Sequence, residues 1–335
     1  MAQTLEAANA GAFSEEAEQL PVIDLKNFAF DEAGANEIAA EIDRVFSTVG
    51  FCYIANTGVP KALMDAVFKA SADFHAQPME KKQELAINAY HRGYMAPKTS
   101  LIVTSSVAEV KKPNNSESLM IMHEVPEDSP RLGGPLQGPN QWPREVPGFK
   151  ETVSAYNAAL EQLARRLTKL IARALGMPED ALDGYFEEPT TFLRLLHYPP
   201  NPGAADDEFG SAPHTDYGFI TILLQDQVGG LQVRKRGGGW IKATPVPGTF
   251  VVNVGDILSR WTNGRWQSTP HGVRNTSNVD RYSVPFFYDP GMDVTVECLP
   301  GCLTAGEEPR FPPVNYGEYL MERIDKNYSY RKAAG

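Results

Sequence analysis

Cysteine is scarce in this sequence: three among 335 residues, none in a CxxC pair, so neither a disulfide framework nor a dithiol redox motif organises the chain. Cys52 falls in an apolar strand-like run, and it, Cys298 and Cys302 read as small apolar side chains. Positive charge is in deficit, with 31 Lys and Arg against 42 Asp and Glu and a net charge of −11. That balance argues against a polyanionic partner, because nucleic-acid binding shows a basic face. The one basic cluster, Arg234-Lys235-Arg236, reads as a solvated hairpin flank. No apolar run approaches the roughly 18 residues of a membrane span. The opening Met1-Ala2-Gln3-Thr4-Leu5-Glu6 lacks the basic and apolar regions of a secretion signal. A cytoplasmic protein without a membrane or nucleic-acid partner is the expectation. Gly237-Gly238-Gly239 has neither a GK[ST] nor a helical pattern after it, so it is a hairpin tip rather than a phosphate cradle.

What is present suffices for a sizeable core, since 42% of the residues are hydrophobic. Residues 1–19, rich in Ala and Glu without an apolar face, read as a mobile tail. The remainder, 20–335, reads as one domain in three parts. The first, 20–185, is mixed. It opens with a strand at Val22 to Leu25, then a helix carrying Ile38, Ile42, Val45, Phe46 and Val49 that stops at Gly50. Pro60 suits the first turn of a second helix with Leu63, Val67 and Phe74 on its buried stripe and a structural His75 near its end. An irregular stretch from Gly93 to Pro147 contains a strand candidate, Ser118 to Val125, whose His123 has no ligand partner at metal spacing. From Phe149, Val153, Tyr156, Leu160, Leu163, Leu167 and Ile171 predict a long helix ending at Gly176. The second part, 186–312, turns to short strands, with breaks at Pro199 to Gly203, Gly229-Gly230, Gly237 to Gly239 and Asn263-Gly264, the pattern of a sandwich or barrel. The third, 313–335, offers a helix from Tyr316 to Tyr328 that would pack over the barrel mouth.

Chemistry concentrates in the strand-rich part. His214 and Asp216, two apart in His214-Thr215-Asp216-Tyr217-Gly218, share one face if they lie on a strand, and His271 lies far enough on for several strands to run away and return. Two histidines and a carboxylate are the facial triad that suits non-haem Fe(II) while leaving coordination positions open. Arg281 and Ser283 are again two apart, in the apolar run Arg281-Tyr282-Ser283-Val284-Pro285-Phe286-Phe287-Tyr288. A guanidinium and a hydroxyl on one strand face are shaped to grip a carboxylate.

The His214-x-Asp216 pair, His271 within Pro270-His271-Gly272-Val273-Arg274-Asn275, and Arg281-x-Ser283 resemble the iron(II)/2-oxoglutarate-dependent oxygenases of the isopenicillin N synthase-like branch. The resemblance extends to Leu20-Pro21-Val22-Ile23-Asp24-Leu25 and to Gly50-Phe51-Cys52-Tyr53-Ile54-Ala55-Asn56-Thr57-Gly58-Val59-Pro60, with Thr57 where many members carry His. It implies a mainly β fold with flanking helices (α+β), its core a double-stranded β-helix, or jelly roll. It also implies Fe(II) held by His214, Asp216 and His271, with 2-oxoglutarate and O2 as co-substrates. The far carboxylate of 2-oxoglutarate would meet Arg281 and Ser283, with Tyr198 assisting. Leu196 replaces the Asn of the family's Asn-Tyr-Tyr-Pro pattern, and Ser116-Glu117-Ser118-Leu119 only half fits its Lys-Glu pattern.

The activity implied is hydroxylation, desaturation or ring closure of a small organic metabolite, with succinate and CO2 formed. An oxidase of the same branch that needs no 2-oxoglutarate, and a non-catalytic metal-binding jelly roll, remain open on the motif alone. If Tyr198 faces inward, Leu196 and Arg194 do too. Arg194 then meets either a protein carboxylate or the substrate, with Leu223 and Phe287 packing the substrate's apolar part. The substrate expected is small, with an acidic or polar handle, of an amino-acid-derived or aromatic kind.

Overall fold

The computed structural model describes residues 19–26, 32–107, 109–304 and 306–332, so the N-terminal tail expected from the sequence falls outside the described residues apart from Gln19. β1 (Val22–Asp24) and β2 (Phe51–Ala55) pair in parallel around α1 (Glu32–Thr48), whose Ile38, Ile42, Val45 and Phe46 form its buried stripe. Pro60 stands one residue ahead of α2 (Lys61–His75), as its N-cap, and a short α3 (Met79–Gln83) follows. Within the irregular stretch lie β3 (Gly93–Met95) and β4 (Glu117–Met122), a strand where the sequence predicts one. α4 (Phe149–Ala174) is the long helix the periodicity predicts, and it packs against α1 and α2.

β5 (Thr190–Tyr198), β6 (Ser211–His214), β7 (Ile220–Gln225), β8 (Leu231–Arg234), β9 (Trp240–Lys242) and β10 (Phe250–Val254) follow in order, with the breaks read from sequence joining β5 to β6, β7 to β8 and β8 to β9, while the connections 215–219 and 243–249 fall where no break is read. Asn263-Gly264, expected between strands, instead closes α5 (Asp256–Trp261), a helix too short for apolar periodicity to reveal it. β11 (His271–Val273), β12 (Arg281–Asp289), a small β13 (Thr295–Val296) and β14 (Val314–Asn315) pair, α6 (Tyr316–Asn327) and α7 (Ser329–Lys332) complete the chain.

Eight strands form one sheet in the order β1-β2-β10-β7-β12-β5-β4-β3, and four form a second in the order β6-β11-β8-β9. Side-chain alternation assigns the large sheet two different faces. Leu193, Leu195, Ile220, Ile222, Val252, Val284 and Phe286 point outward into the main core shared with α1, α2 and α4. Phe51, Tyr53, Leu196, Tyr198 and Val251 point inward and meet Leu231, Val233, Ile241 and Val273 of the small sheet. The inner layer is the interior of a jelly roll, and its partners are the strands that carry the polar motifs.

Candidate active site

His214 ends β6 and His271 begins β11, and the two residues are directly paired across the ladder, with ring centroids 4.4 Å apart. Asp216 does not continue the strand as its spacing predicts. β6 stops at His214, and Asp216 opens the turn leading to β7. The carboxylate converges all the same, because that turn is held from two sides. The backbone carbonyls of Asp216 and Gly218 accept from the N–H groups of Asp256 (2.8 Å) and Ile257 (2.9 Å) at the start of α5. On the other side, the N–H of Phe219 donates to Asp289 Oδ1 at 2.7 Å, and a Cβ on Gly218 would stand 1.6 Å from that oxygen. Only glycine lets the turn come so close.

Both imidazole Nε2 atoms lie 3.6 Å from Asp216 Oδ1, and the ligand atoms of all three residues fall within 4.8 Å of one another. Among the described residues this is the one cluster of three such side chains able to hold a metal ion. The outer atoms are committed elsewhere. Nδ1 of His214 donates to the Ala212 carbonyl (2.7 Å) and Nδ1 of His271 to that of Thr269 (3.1 Å), which leaves both Nε2 lone pairs for a metal. Thr221 Oγ1 (2.5 Å) and Asn253 Nδ2 (2.8 Å) both donate to Asp216 Oδ2, freeing Oδ1. Burial and the neighbouring His271 push the His214 pKa down to about 4. Burial alone would raise the Asp216 carboxyl, but the two imidazoles and the two hydrogen bonds hold it below its ordinary range. Two imidazole nitrogens with free lone pairs beside a carboxylate oxygen are the donor set a divalent iron needs.

On one side of this cluster lies Arg281, fully buried, whose guanidinium rests on the ring of Tyr198 at 4.6 Å. Its Nε donates to the Gly229 carbonyl and its Nη1 to Ser283 Oγ at 3.4 Å, while Nη2 is buried without a hydrogen-bond partner. Among the described residues no carboxylate pairs with it. Asp226 acts on it only at a distance, without an ion-pair contact, and a buried guanidinium without a bonded anion is costly, so the geometry fits a ligand carboxylate brought in from outside. Gly230, at φ +98°, adopts the left-handed backbone and would place a Cβ 2.3 Å from the Arg274 carbonyl, so the wall beside Arg281 tolerates no side chain there. Tyr198, expected to assist the co-substrate, lies beneath the arginine with its ring face against the guanidinium.

On the other side a cavity of about 100 Å³ opens against His214 and Asp216, walled by Arg194, Phe192 and Phe287 and roofed by Leu320, Ile324 and Tyr328. Arg194 Nε donates to Ser118 Oγ at 2.9 Å. No protein carboxylate pairs with Arg194 among the described residues, so the ion pair that the sequence left open is not formed. Phe287 lines this cavity as expected, but Leu196 and Leu223 do not. They pack with Tyr198 inside the roll, towards Arg281. Alternation fixes the face a residue occupies, not its distance along the barrel, and on β5 Arg194 lines the cavity while Leu196 joins the inner cluster around Tyr198.

Motif reasoning does not reach Thr221, Asn253 and Asp289, although the first two carry a signal: single polar residues at inward positions of the apolar runs Ile220-Thr221-Ile222 and Val252-Asn253-Val254. The expected C-terminal helix, α6, does cover the cavity, and Tyr217 beside the metal turn accepts from Asn327 Nδ2 at its end. His123 hydrogen-bonds Gln137 at 3.1 Å and is no part of the metal cluster.

Residues 189–290 match the model of the 2OG-Fe(II) oxygenase superfamily, and residues 20–145 match that of the non-haem dioxygenase in morphine synthesis N-terminal region. A 2-oxoglutarate-Fe(II) type oxidoreductase of Emericella nidulans is 34% identical over 324 residues, covering 93% of this chain and 91% of its own. The homoarginine-6-hydroxylase of Glycine max is 33% identical over 309 residues, covering 89% of this chain and 91% of its own. A Neurospora crassa protein solved in complex with alpha-KG and thymine superposes with a TM-score of 0.80 at 33% identity, covering 92% of this chain and 96% of that one. A donor set suited to iron, a buried guanidinium without an anion, and relatives alike over nearly their full length converge on one conclusion: this chain belongs to the Fe(II)- and 2-oxoglutarate-dependent oxygenases, enzymes that use Fe(II), 2-oxoglutarate and O2 to oxidise a small molecule.

Proposed function

We propose that His214, Asp216 and His271 hold the iron, that Arg281 and Ser283 take the far carboxylate of 2-oxoglutarate, and that Arg194 and Phe287 receive the primary substrate. The observation that carries this reading is the pair of inward arginines, Arg194 in the cavity wall with His214 and Asp216 and Arg281 buried on the neighbouring strand against Tyr198, neither in an ion pair with a protein carboxylate among the described residues. When bound, the iron supplies O2-dependent oxidation coupled to decarboxylation of 2-oxoglutarate to succinate and CO2. Arg281 fixes the co-substrate's orientation, since its own position is set by the Gly229 carbonyl and the Tyr198 ring. Phe192 and Phe287, edge to face at 6.4 Å, exclude water from the substrate side and present an apolar wall. Arg194 supplies the polar hold, so the substrate is a small molecule with an acidic or polar handle, amino-acid-derived or aromatic. Thymine, a small ring bearing carbonyls, in the Neurospora neighbour is in keeping with that class.

The test is to bind candidate metabolites to the Fe(II) and 2-oxoglutarate complex without oxygen, admit O2, and identify products by mass. Product formation that needs 2-oxoglutarate and releases succinate is expected. Oxygen uptake indifferent to 2-oxoglutarate would transfer Arg281 to a substrate carboxylate and favour an oxidase.

A further inference from the structure

His91 stands in the wall of the substrate cavity with Arg194, and nothing in the reading above uses it. It adopts a left-handed backbone, φ +61°, in a turn where the Asn88 N–H donates to the Arg92 carbonyl and the His91 N–H donates to the Asn88 carbonyl. Arg92 pins that turn: its fully buried guanidinium donates to the carbonyls of His123 (2.7 Å) and Leu136 (3.0 Å) and to Asn140 Oδ1 (2.9 Å). A non-glycine residue held there is strained, and such strain collects where a side chain must be aimed. The aim is completed from the far end of the chain. Tyr330 Oη meets His91 Nδ1, Tyr328 sets its ring edge-on at 4.9 Å, and Arg331 Nη1 donates to the Ala89 carbonyl at 2.8 Å.

The imidazole is buried beside the charges of Arg194, Arg331 and Arg92, and burial first, then those charges, keep it neutral. A neutral imidazole has one donor and one acceptor nitrogen, and a phenol is the better donor of the pair. Nδ1 therefore accepts from Tyr330, and Nε2 carries the N–H, which meets no partner among the described residues. The cavity wall thus holds the Arg194 guanidinium and the His91 imidazole, while the amides of Asn114 and Asn327 in the same wall already donate to Ser100 and to Thr104 and Tyr217. Its carboxylates are spoken for: Asp216 belongs to the metal cluster, and the two oxygens of Asp289 accept from Phe219 N–H and Tyr316 Oη.

We infer that His91 and Arg194 form a carboxylate clasp, with Tyr330 as the residue that positions His91, so that the primary substrate is a small organic acid. The inference rests on the reading of Arg194 as the substrate anchor and adds the second arm and the charge of the handle.

Matched acid and amide probes test it: benzoate against benzamide and nicotinate against nicotinamide, with thymine as a neutral ring, titrated calorimetrically into the oxygen-free Fe(II) and 2-oxoglutarate enzyme. Acids should bind and amides should bind at least about tenfold more weakly, as expected when hydrogen bonds to a charged group are lost. His91→Asn, which suits the left-handed backbone but falls short of the cavity, should lose roughly tenfold in acid affinity and leave 2-oxoglutarate affinity unchanged. His91→Gln, which restores a donor near Nε2, should recover part of that loss. Tyr330→Phe should weaken acid binding in the wild type and have no further effect in His91→Asn, as a residue acting through the histidine must. Equal binding of acid and amide, or failure of every acid to bind, overturns the organic-acid class. If Arg194→Met still loses thymine in that case, the anchor reading survives; if it loses nothing, that reading falls separately. A His91→Asn variant that weakens 2-oxoglutarate and probes alike makes the histidine structural and overturns the clasp.

Discussion

Two arginines face the interior from adjacent strands, Arg281 on β12 and Arg194 on β5, and they differ in how completely the protein has fixed them. Arg281 is fully buried, held by a carbonyl, a hydroxyl and an aromatic face, and set beside a wall that glycine alone can form. Arg194 is partly exposed, tied by one hydrogen bond to Ser118, and looks into a cavity roofed by the C-terminal helix. The first environment suits a ligand that never changes. The second is assembled from loops, several strands and α6, and suits a ligand that differs between relatives. On the proposed assignment, the co-substrate is held by one stretch of sheet and the substrate by residues spread over the sequence.

The largest effect erases the comparison. Asp216→Ala removes one of three protein ligands, so turnover should fall to background with either co-substrate or substrate in excess, while the fold persists because the core clusters do not include Asp216. Undiminished turnover would remove the metal assignment. Next, Arg281→Ala should weaken 2-oxoglutarate by about 2 to 5 kcal/mol, the usual cost of truncating one partner of a desolvated charge pair, while sparing primary-substrate affinity. An unchanged requirement for 2-oxoglutarate would mean the buried guanidinium serves some other anion. Arg194→Met should do the converse, raising the substrate KM steeply while uncoupled 2-oxoglutarate decarboxylation continues. Loss of both, or of neither, would show that the two sides are not separable.

The same contrast decides what can be read in advance. Arg281-x-Ser283 is legible because a strand puts residues two apart on one face, and β12 is regular there. His214-x-Asp216 is legible for a partly different reason: the strand ends between them, and backbone bonds to α5 and Asp289 restore the convergence. Sequence alternation assigns Leu196 and Leu223 the right face but places them in the cavity, whereas they lie away from it beside Tyr198, since alternation carries no information along the barrel. His91 and Tyr330 are invisible in sequence, because a left-handed turn and a C-terminal segment 239 positions away meet only in the folded chain. α5 escapes for want of length.

A smaller effect is expected at the residues that hold Asp216 from behind. Asn253→Leu removes a donor to Oδ2 and leaves Thr221 in place, so Fe(II) affinity should fall by roughly 10- to 100-fold, the range typical for such supporting partners. Metal titration followed at fixed 2-oxoglutarate reads this directly. If 2-oxoglutarate affinity falls more than metal affinity, Asn253 serves the Arg281 side rather than the carboxylate.

The smallest effect on turnover should come from the outer face of the strand that carries Arg194, Leu196 and Tyr198. His197 points away from the roll, stacks on Tyr282 at 4.9 Å, lies 5.4 Å from His75, and bonds Glu117 and Asp280 through its two nitrogens, each at 2.7 Å. Glu117 also accepts from Lys82 at 2.7 Å and from Tyr94. Burial would lower the His197 pKa, but its two carboxylate partners raise it above the ordinary 6.5. A pKa raised by folding stabilises fully below the unfolded value and ceases to do so as pH climbs through the folded one, so His197 favours the fold fully below pH 6.5 and releases it as pH rises above that. Glu117 works oppositely. Burial would raise it, yet His197, Lys82 and Tyr94 hold it down to about 2 from 4.5, so its contribution is present above about pH 4.5 and disappears on acidification towards 2. His197→Gln should therefore lower Tm most below pH 6.5 and flatten the decline above it, while leaving affinity for 2-oxoglutarate and substrate as in the wild type. Thermal melts from pH 5 to 9, paired with both binding titrations, check it. A shift in either affinity comparable to the shifts in the arginine variants would mean that β5 transmits strain from its outer face to the site, and that the separation of the two arginines depends on this ion-pair network.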